Sequence, residues 1–218
     1  MRNDSHRDRP AGFCNYLEGD RTMLILASGS PRRAKILKKL GVAFAVVRTD
    51  AREVSAEPGR LYGSEETCAL TERNACLKAQ AGFEANGGSG DGGILAADTV
   101  VWFRNRILGK PRDLKEAADY LRMMSDRVHS VFTGVAYLPP GATKGDEPRF
   151  AIVESKVKFR KLSEKAIADY VARVKPTDRA GAYDIDESGD LIVESFEGSY
   201  ENIMGLPVEP LREWGVVK

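Results

Sequence analysis

The sequence is short of the residues that most often announce a chemistry. Its 218 residues include three cysteines (Cys14, Cys68, Cys76) and two histidines (His6, His129). Three scattered thiols make neither a disulfide scaffold nor a four-cysteine zinc site. Two histidines leave little material for a histidine-rich metal centre or a Ser-His-Asp triad. No apolar run reaches the roughly 18 residues that a membrane span needs. Charge of one sign is also missing: 33 Lys and Arg against 32 Asp and Glu leave a net charge of +1. A basic field over the whole surface, the footprint of a protein that holds a nucleic-acid polymer, is therefore excluded. Disorder is excluded by the 42% of hydrophobic residues beside that small net charge.

What is present is a chain long enough for one sizeable core. Residues 1–22 are polar, lack an apolar h-region and contain Pro10, Gly12 and Gly19, so they do not read as a secretory leader. They are read as a disordered extension, with the domain proper over 23–218 in the cytoplasm and its thiols reduced. Met23 to Ala27 is a short apolar run suited to a buried strand. A helix over 31–40 follows, with Ser30 as N-cap, Pro31 at the first helical position and Gly41 at its end. Further strands are expected at 42–47, 94–103, 107–108, 128–138, 150–159 and 191–196. Helices are expected at 65–83 (with Leu70, Leu77 and Ala81 on its apolar side), 114–124, 163–174 and 207–214. This order lacks strict strand–helix alternation, so the fold class is α/β with an α+β-like mixed sheet.

Three stretches look like chemistry. Gly88 to Gly93 matches G-x-G-x-x-G, but a dinucleotide fingerprint follows a strand and opens a helix. This one does the reverse and reads as a flexible loop. Ser28-Gly-Ser30-Pro-Arg32-Arg33 lies at a strand-to-helix junction, where free backbone N–H groups and the helix dipole favour an anion. Two hydroxyls and two guanidinium forks add donors suited to phosphate oxygens; a capped helix with two solvated arginines is the plainer alternative. Asp98 sits inside the apolar run Ile94 to Val101. A carboxylate there is costly unless it is paired, metal-bound or hydrogen-bonded, so it marks a site or a bonded structural aspartate. Together with nearby lysines these residues suit phosphoryl or pyrophosphoryl chemistry, where positioning and charge neutralisation do most of the catalysis.

Seven segments in order carry a resemblance. They are LILASGSPRR (24–33), Leu77-Lys78-Ala79, AADTVV (96–101), LGKPRD (108–113), HSVFTGV (129–135), RAGAYDI (179–185) and GSYENIMGLP (198–207). Over residues 23 to 214 the chain resembles the Maf (septum-formation) family of nucleoside triphosphate pyrophosphatases. The resemblance implies a Maf/inosine-triphosphatase-like fold with a deep central cleft, in a homodimer. It implies hydrolysis of a nucleoside triphosphate to the monophosphate and pyrophosphate with a divalent cation, Mg²⁺ or Mn²⁺. The partner is then a nucleotide substrate, not a nucleic-acid polymer or a membrane. Asp98 falls on the family's proton acceptor and Glu53 on a second acidic position that shares the metal. Lys78 and Lys110 fall on phosphate-binding lysines, and Ser28, Ser30 and Arg33 in the phosphate cradle.

Base selectivity in the family is associated with the positions that are Arg32, Thr99 and Asp186 here. Arg32 and Thr99 match the branch that prefers dTTP and UTP. Asp186 departs from it: that branch carries a glutamine in a Gly-Ile-Gln run, and this chain reads Asp184-Ile-Asp186. An ionised aspartate accepts hydrogen bonds and cannot donate them, so a weaker or broader pyrimidine preference is expected. Arg179 stands where a lysine is common. The competing functions are a non-catalytic nucleotide-binding regulator of cell division, and the same chemistry on 7-methyl-GTP or another non-standard nucleotide. Away from these positions, His129 is expected to be a satisfied structural histidine, Trp102 and Phe103 to pack, and Trp214 to anchor a helix.

Overall fold

One ten-residue apolar strand organises the chain. In the computed structural model, which describes residues 23–57, 59–89 and 91–218, the elements run β1 (Leu24–Ala27), α1 (Pro31–Lys39), β2 (Phe44–Val47), α2 (Ser64–Ala85), β3 (Ile94–Phe103), β4 (Arg106–Leu108), α3 (Leu114–Met124), β5 (Val128–Leu138), β6 (Arg149–Phe159), α4 (Glu164–Val174), α5 (Ile185–Ile192), β7 (Val193–Glu197), α6 (Tyr200–Ile203) and α7 (Glu209–Glu213). The expected extension over 1–22 lies outside the described residues.

The seven strands form one mixed sheet in the order β2-β1-β3-β5-β6-β7, with β4 added beside β3. β1 pairs parallel with β2 and β3; every other pair is antiparallel. On one edge β3 is continuously paired with β5, from Ile94↔Leu138 to Trp102↔Ser130. On the other edge it changes partner. β1 pairs with it only at Ile94 and Leu95, and β4 only from Val101 to Phe103. Residues 96–100 have no strand partner on that edge, and the chain on either side parts around them.

Alternation along β3 sends its side chains to both faces. Ile94 and Ala96 pack under α2, with Ala75, Ala79 and Phe83. Leu95 and Ala97 join Ile36 and Leu37 of α1 and the C-terminal Leu206 and Leu211. Further along, Val101 and Phe103 belong to a third cluster with α3, α4 and Ile192. Asp98 follows the α2 side and Thr99 the α1 side, so the unpaired stretch presents one polar residue to each face.

The sequence expectations hold for most elements, with four corrections. The leucine side expected for α2 is not its buried side. That side is built from Thr67, Thr71, Asn74, Ala75, Ala79 and Gly82; small residues let the helix lie close, and a Cβ added at Gly82 would come to 2.5 Å from the Ala27 Cβ. The strand expected at 191–196 begins at Val193, because Asp184 caps an unforeseen helix, α5: its side chain accepts from the N–H groups of Asp186 and Glu187. The final helix expected at 207–214 is the short α7, preceded by a separate turn of helix, α6, that Ser199 caps. Ser30 is the N-cap of α1 by position, but its side chain makes no capping bond.

His129 is only half satisfied. Nε2 lies 3.0 Å from the Tyr183 hydroxyl, while Nδ1 has no partner among the described residues. The ring packs edge-on against Phe159 and Tyr183. Trp102 donates its indole N–H to the Tyr62 carbonyl at 2.9 Å, and Trp214 stacks on Tyr137.

Burial pushes the His129 imidazole down to about 3, so it folds neutral and the unfolded chain binds its proton first. Stability is then full above the unfolded value of about 6.5 and falls by about 1.4 kcal/mol per pH unit below it, down to the folded value. Urea unfolding should show a contribution of about 2 kcal/mol lost between pH 7 and pH 5. His129→Gln should remove that share of the slope; an unaltered slope would refute the assignment.

Candidate active site

The unpaired stretch of β3 opens into a cleft of about 1380 Å³. Its wall includes Ser28, Ser30, Arg32, Arg33, Glu53, Lys78, Asp98, Thr99 and Lys110, so the structure brings nine of the ten sequence-derived site residues together. Asp186 is the exception. It forms an ion pair with Lys35, accepts a hydrogen bond from the Tyr200 hydroxyl at 3.3 Å, and does not line the cleft. From that segment Tyr183, Asp184 and Ile185 line the cleft, Asp184 being the charged one. The capping turn of α5 explains the change: it fixes Asp184 at the wall, and residue 186 is carried past it into the first turn.

On the α2 side of β3, Asp98 is 6% exposed. Lys78 Nζ lies 2.6 Å from its Oδ1 and 2.9 Å from Glu53 Oε2. The ammonium thus sits between a buried carboxylate and a half-exposed one. A helix lysine that would otherwise be solvated is drawn in, its side chain 14% exposed. Asn74, one turn before Lys78, was not singled out by sequence. Its Oδ1 accepts from the Val54 N–H at 2.8 Å and its Nδ2 donates to the Val54 carbonyl at 3.0 Å. That two-way amide contact fastens the loop carrying Glu53 to α2. Asn74 and Lys78 at i and i+4 share one helix face, a spacing that offered a signal.

On the α1 side, Arg33 is buried and donates three ways: Nε to the Gly205 carbonyl at 2.8 Å, Nη1 to Ser28 Oγ at 3.0 Å, and Nη2 to Thr99 Oγ1 at 3.1 Å. Burial pushes this guanidinium down from its ordinary value, with Asp98 acting in the opposite sense. All three acceptors are neutral, so its positive charge is left uncompensated by direct pairing. Gly205 has φ +101°, and a Cβ there would lie 3.0 Å from Thr99 Oγ1; only glycine holds its carbonyl at this point without strain. Ser28 Oγ also accepts the Ser30 N–H at 3.1 Å, shaping the turn into α1.

At the far wall Arg32 Nη1 and Arg179 Nε reach the same Asp184 oxygen, at 3.5 and 3.0 Å. Burial works to raise the Asp184 carboxyl, but the N–H groups of Asp186 and Glu187 and the two arginines outweigh it, leaving it below the usual carboxylate range. Lys110 stands exposed at the rim, on a turn held by the Gly181 N–H to the Gly109 carbonyl at 3.1 Å. Among the described residues, no group of three His, Cys, Asp or Glu side chains is gathered to hold a metal.

The family model described as "Maf-like protein" matches residues 23–214. The chain belongs to the Maf-like protein family. A dTTP/UTP pyrophosphatase of Desulfitobacterium hafniense is 40% identical over 205 residues, covering 91% of this chain and 88% of the relative. A dTTP/UTP pyrophosphatase of Dictyoglomus thermophilum is 40% identical, covering 87% and 92%, and one of Hahella chejuensis is 41% identical, covering 90% and 94%. Among solved structures, a nucleoside-triphosphatase / dITP/XTP pyrophosphatase of Mycobacterium abscessus aligns over 89% of this chain and 93% of its own at 17% identity, with a TM-score of 0.41.

Removing one partner of a buried ion pair leaves an uncompensated charge, at a cost of about 3–5 kcal/mol. Lys78→Met should therefore lower unfolding free energy by about 3 kcal/mol, and the added change Asp98→Asn should recover most of that loss. Chemical denaturation of the two single variants and the double variant checks this; additive losses would show that Lys78 and Asp98 do not depend on each other.

Proposed function

We propose that this protein hydrolyses nucleoside triphosphates, of the dTTP and UTP kind, to the monophosphate and pyrophosphate. The observation that carries the reading is Asp98: a carboxylate buried in the one unpaired stretch of the central strand, touching Lys78 and opening on a cleft lined with guanidinium groups. The named activity of the pyrophosphatase relatives agrees with it.

The roles follow from the chemistry of each group. Asp98 accepts the proton of a water directed at the α-phosphorus. Lys78, held between Asp98 and Glu53, is placed to donate to phosphate oxygens while the developing charge moves onto pyrophosphate. Arg33 carries an uncompensated positive charge into the same space, and Ser28, Ser30 and Lys110 add donors along the phosphate chain. Arg32 and Thr99 border the part of the cleft left for the base.

The donor set fits Mg²⁺ or Mn²⁺ in one specific sense. Two carboxylates, Asp98 and Glu53, already flank a cation in Lys78, and Mg²⁺ is commonly held by one or two carboxylates with substrate phosphates and water completing the shell. The set does not make an all-protein cage, so the metal would arrive with the nucleotide. Bound there, it would neutralise phosphate charge and lower the pKa of a coordinated water. A homodimer and a cytoplasmic setting belong to the same reading; no helix among the described residues is long and apolar enough to cross a membrane.

Pyrophosphate release from UTP and dTTP should appear with Mg²⁺ or Mn²⁺ and stop with excess chelator. Asp98→Asn should cut kcat by a factor on the order of 10²–10⁴ while nucleotide binding persists. If the wild-type chain binds nucleotides and releases nothing from any of a full panel, the regulator reading replaces this one.

A further inference from the structure

Asp98 has two carboxylate oxygens, and each has its own partner on α2. Lys78 Nζ lies 2.6 Å from Oδ1. Asn74 Nδ2, one turn earlier, reaches Oδ2 at 3.5 Å, at the long end of hydrogen-bond range. Asn74 is 5% exposed and lines the cleft. Its amide nitrogen carries two N–H groups, enough for both Asp98 and the Val54 carbonyl at 3.0 Å, while its Oδ1 takes the Val54 N–H at 2.8 Å.

The segment that carries Glu53 has few other ties. Among the described residues, 51–56 make one hydrogen bond within the segment, from the Glu53 N–H to the Ala51 carbonyl at 2.9 Å, and otherwise the two bonds of Val54 to Asn74. Glu53 adds its ion pair with Lys78, but half of its side chain is exposed, and a pair on that footing fixes little by itself. Further along the chain the next anchor is Tyr62, whose N–H donates to the Asn105 carbonyl at 2.7 Å and whose carbonyl accepts the Trp102 indole N–H. Asn74 therefore joins the backbone beside Glu53 to the Asp98 carboxylate.

We propose that Asn74 is a positioning residue: it holds the Glu53 loop and Asp98 in one fixed relation, so that the two acids stay on either side of Lys78, where a divalent cation would arrive with the nucleotide. The inference rests on the pyrophosphatase reading and names the residue that assembles its two acids. Asn74 acts through Glu53 and Asp98 and does not touch the reacting atoms.

Asn74→Ala should lower kcat for UTP by about tenfold. KM should stay within about twofold, because Ser28 and Arg33 hold phosphate on the other face of β3. Acting through Glu53 means that the two changes do not add. Glu53→Gln should cost about tenfold in kcat in the wild-type chain and less than about twofold on the Asn74→Ala background; equal costs on both backgrounds overturn the proposal. Asn74→Leu restores side-chain volume without the amide and should behave like Asn74→Ala. A leucine variant with wild-type kcat overturns the proposal, since packing alone would then suffice. Hydrogen exchange on the protein free of metal and nucleotide gives a readout apart from turnover. The Val54 amide should exchange about tenfold faster in both variants while amides in the middle of α2 keep their rates. Unchanged exchange at Val54, or an equal rise along α2 that marks a general loss of stability, overturns the role. If no pyrophosphate is released by the wild-type chain, the hydrolytic reading fails, and the same Asn74 and Glu53 cycle is read in Mn²⁺ affinity by electron paramagnetic resonance with α,β-methylene UTP. Non-additive losses then keep the role of Asn74; additive losses, or no Mn²⁺ binding by wild type, end it.

Discussion

The structure depends on a strand that changes partners. β3 is paired with β5 from Ile94 to Trp102, but on its other edge β1 leaves after Leu95 and β4 arrives only at Val101. A sheet edge left open in the middle of a fold exposes backbone polar groups and interrupts packing. Here the interruption is the cleft. The five residues that lack a strand partner on this edge include Asp98 and Thr99, and alternation turns one toward α2 and the other toward α1. One local departure from regular pairing therefore places two polar side chains on opposite faces of a single opening.

Charge inside that opening is arranged by unequal compensation. Asp98 is matched by Lys78, which is shared with Glu53. Arg33 is held by two hydroxyls and a carbonyl, none of them charged. Asp184 is overmatched by two arginines. A buried charge bound by neutral dipoles keeps its field, whereas one in a tight ion pair largely cancels it. The net result is a cleft that remains positive although the whole chain carries only +1. The near-neutral composition excludes a nucleic-acid surface and says nothing against a small polyanion, because the relevant field is confined to a few side chains.

Much of this was legible in the sequence, for identifiable reasons. The strand carrying Asp98 was visible because a carboxylate in an apolar run must be answered by the fold. The bounds of α1 were visible from Ser30, Pro31 and Gly41, residues whose backbone preferences act locally. The buried side of α2 was not, because apart from Asn74 and Phe83 it is made of threonines, alanines and a glycine that allow close approach rather than supply hydrophobicity. The role of Asn74 was hidden for a similar reason: its partners are the backbone of Val54, twenty residues away, and the Asp98 carboxylate at 3.5 Å. Asp186 was misplaced by counting positions along the chain. A capping bond two residues earlier directs the segment, and that bond depends on the side-chain carboxylate of Asp184.

That aspartate links helix capping to the charge of the cleft wall. A glycine at 184 would supply no side-chain oxygen to the first N–H groups of α5 and no carboxylate to Arg32 or Arg179. The aspartate brings three features together: the helix start, a contact to Arg32 and the anchoring of Arg179. They are coupled, since the backbone bonds on Oδ1 fix the orientation in which Oδ2 meets the arginines. A side chain free to rotate would lose much of its ordering in water, but one capped by its own following turn holds its charge at a defined point. Capping, a device of helix stability, here also fixes the carboxylate that anchors Arg179.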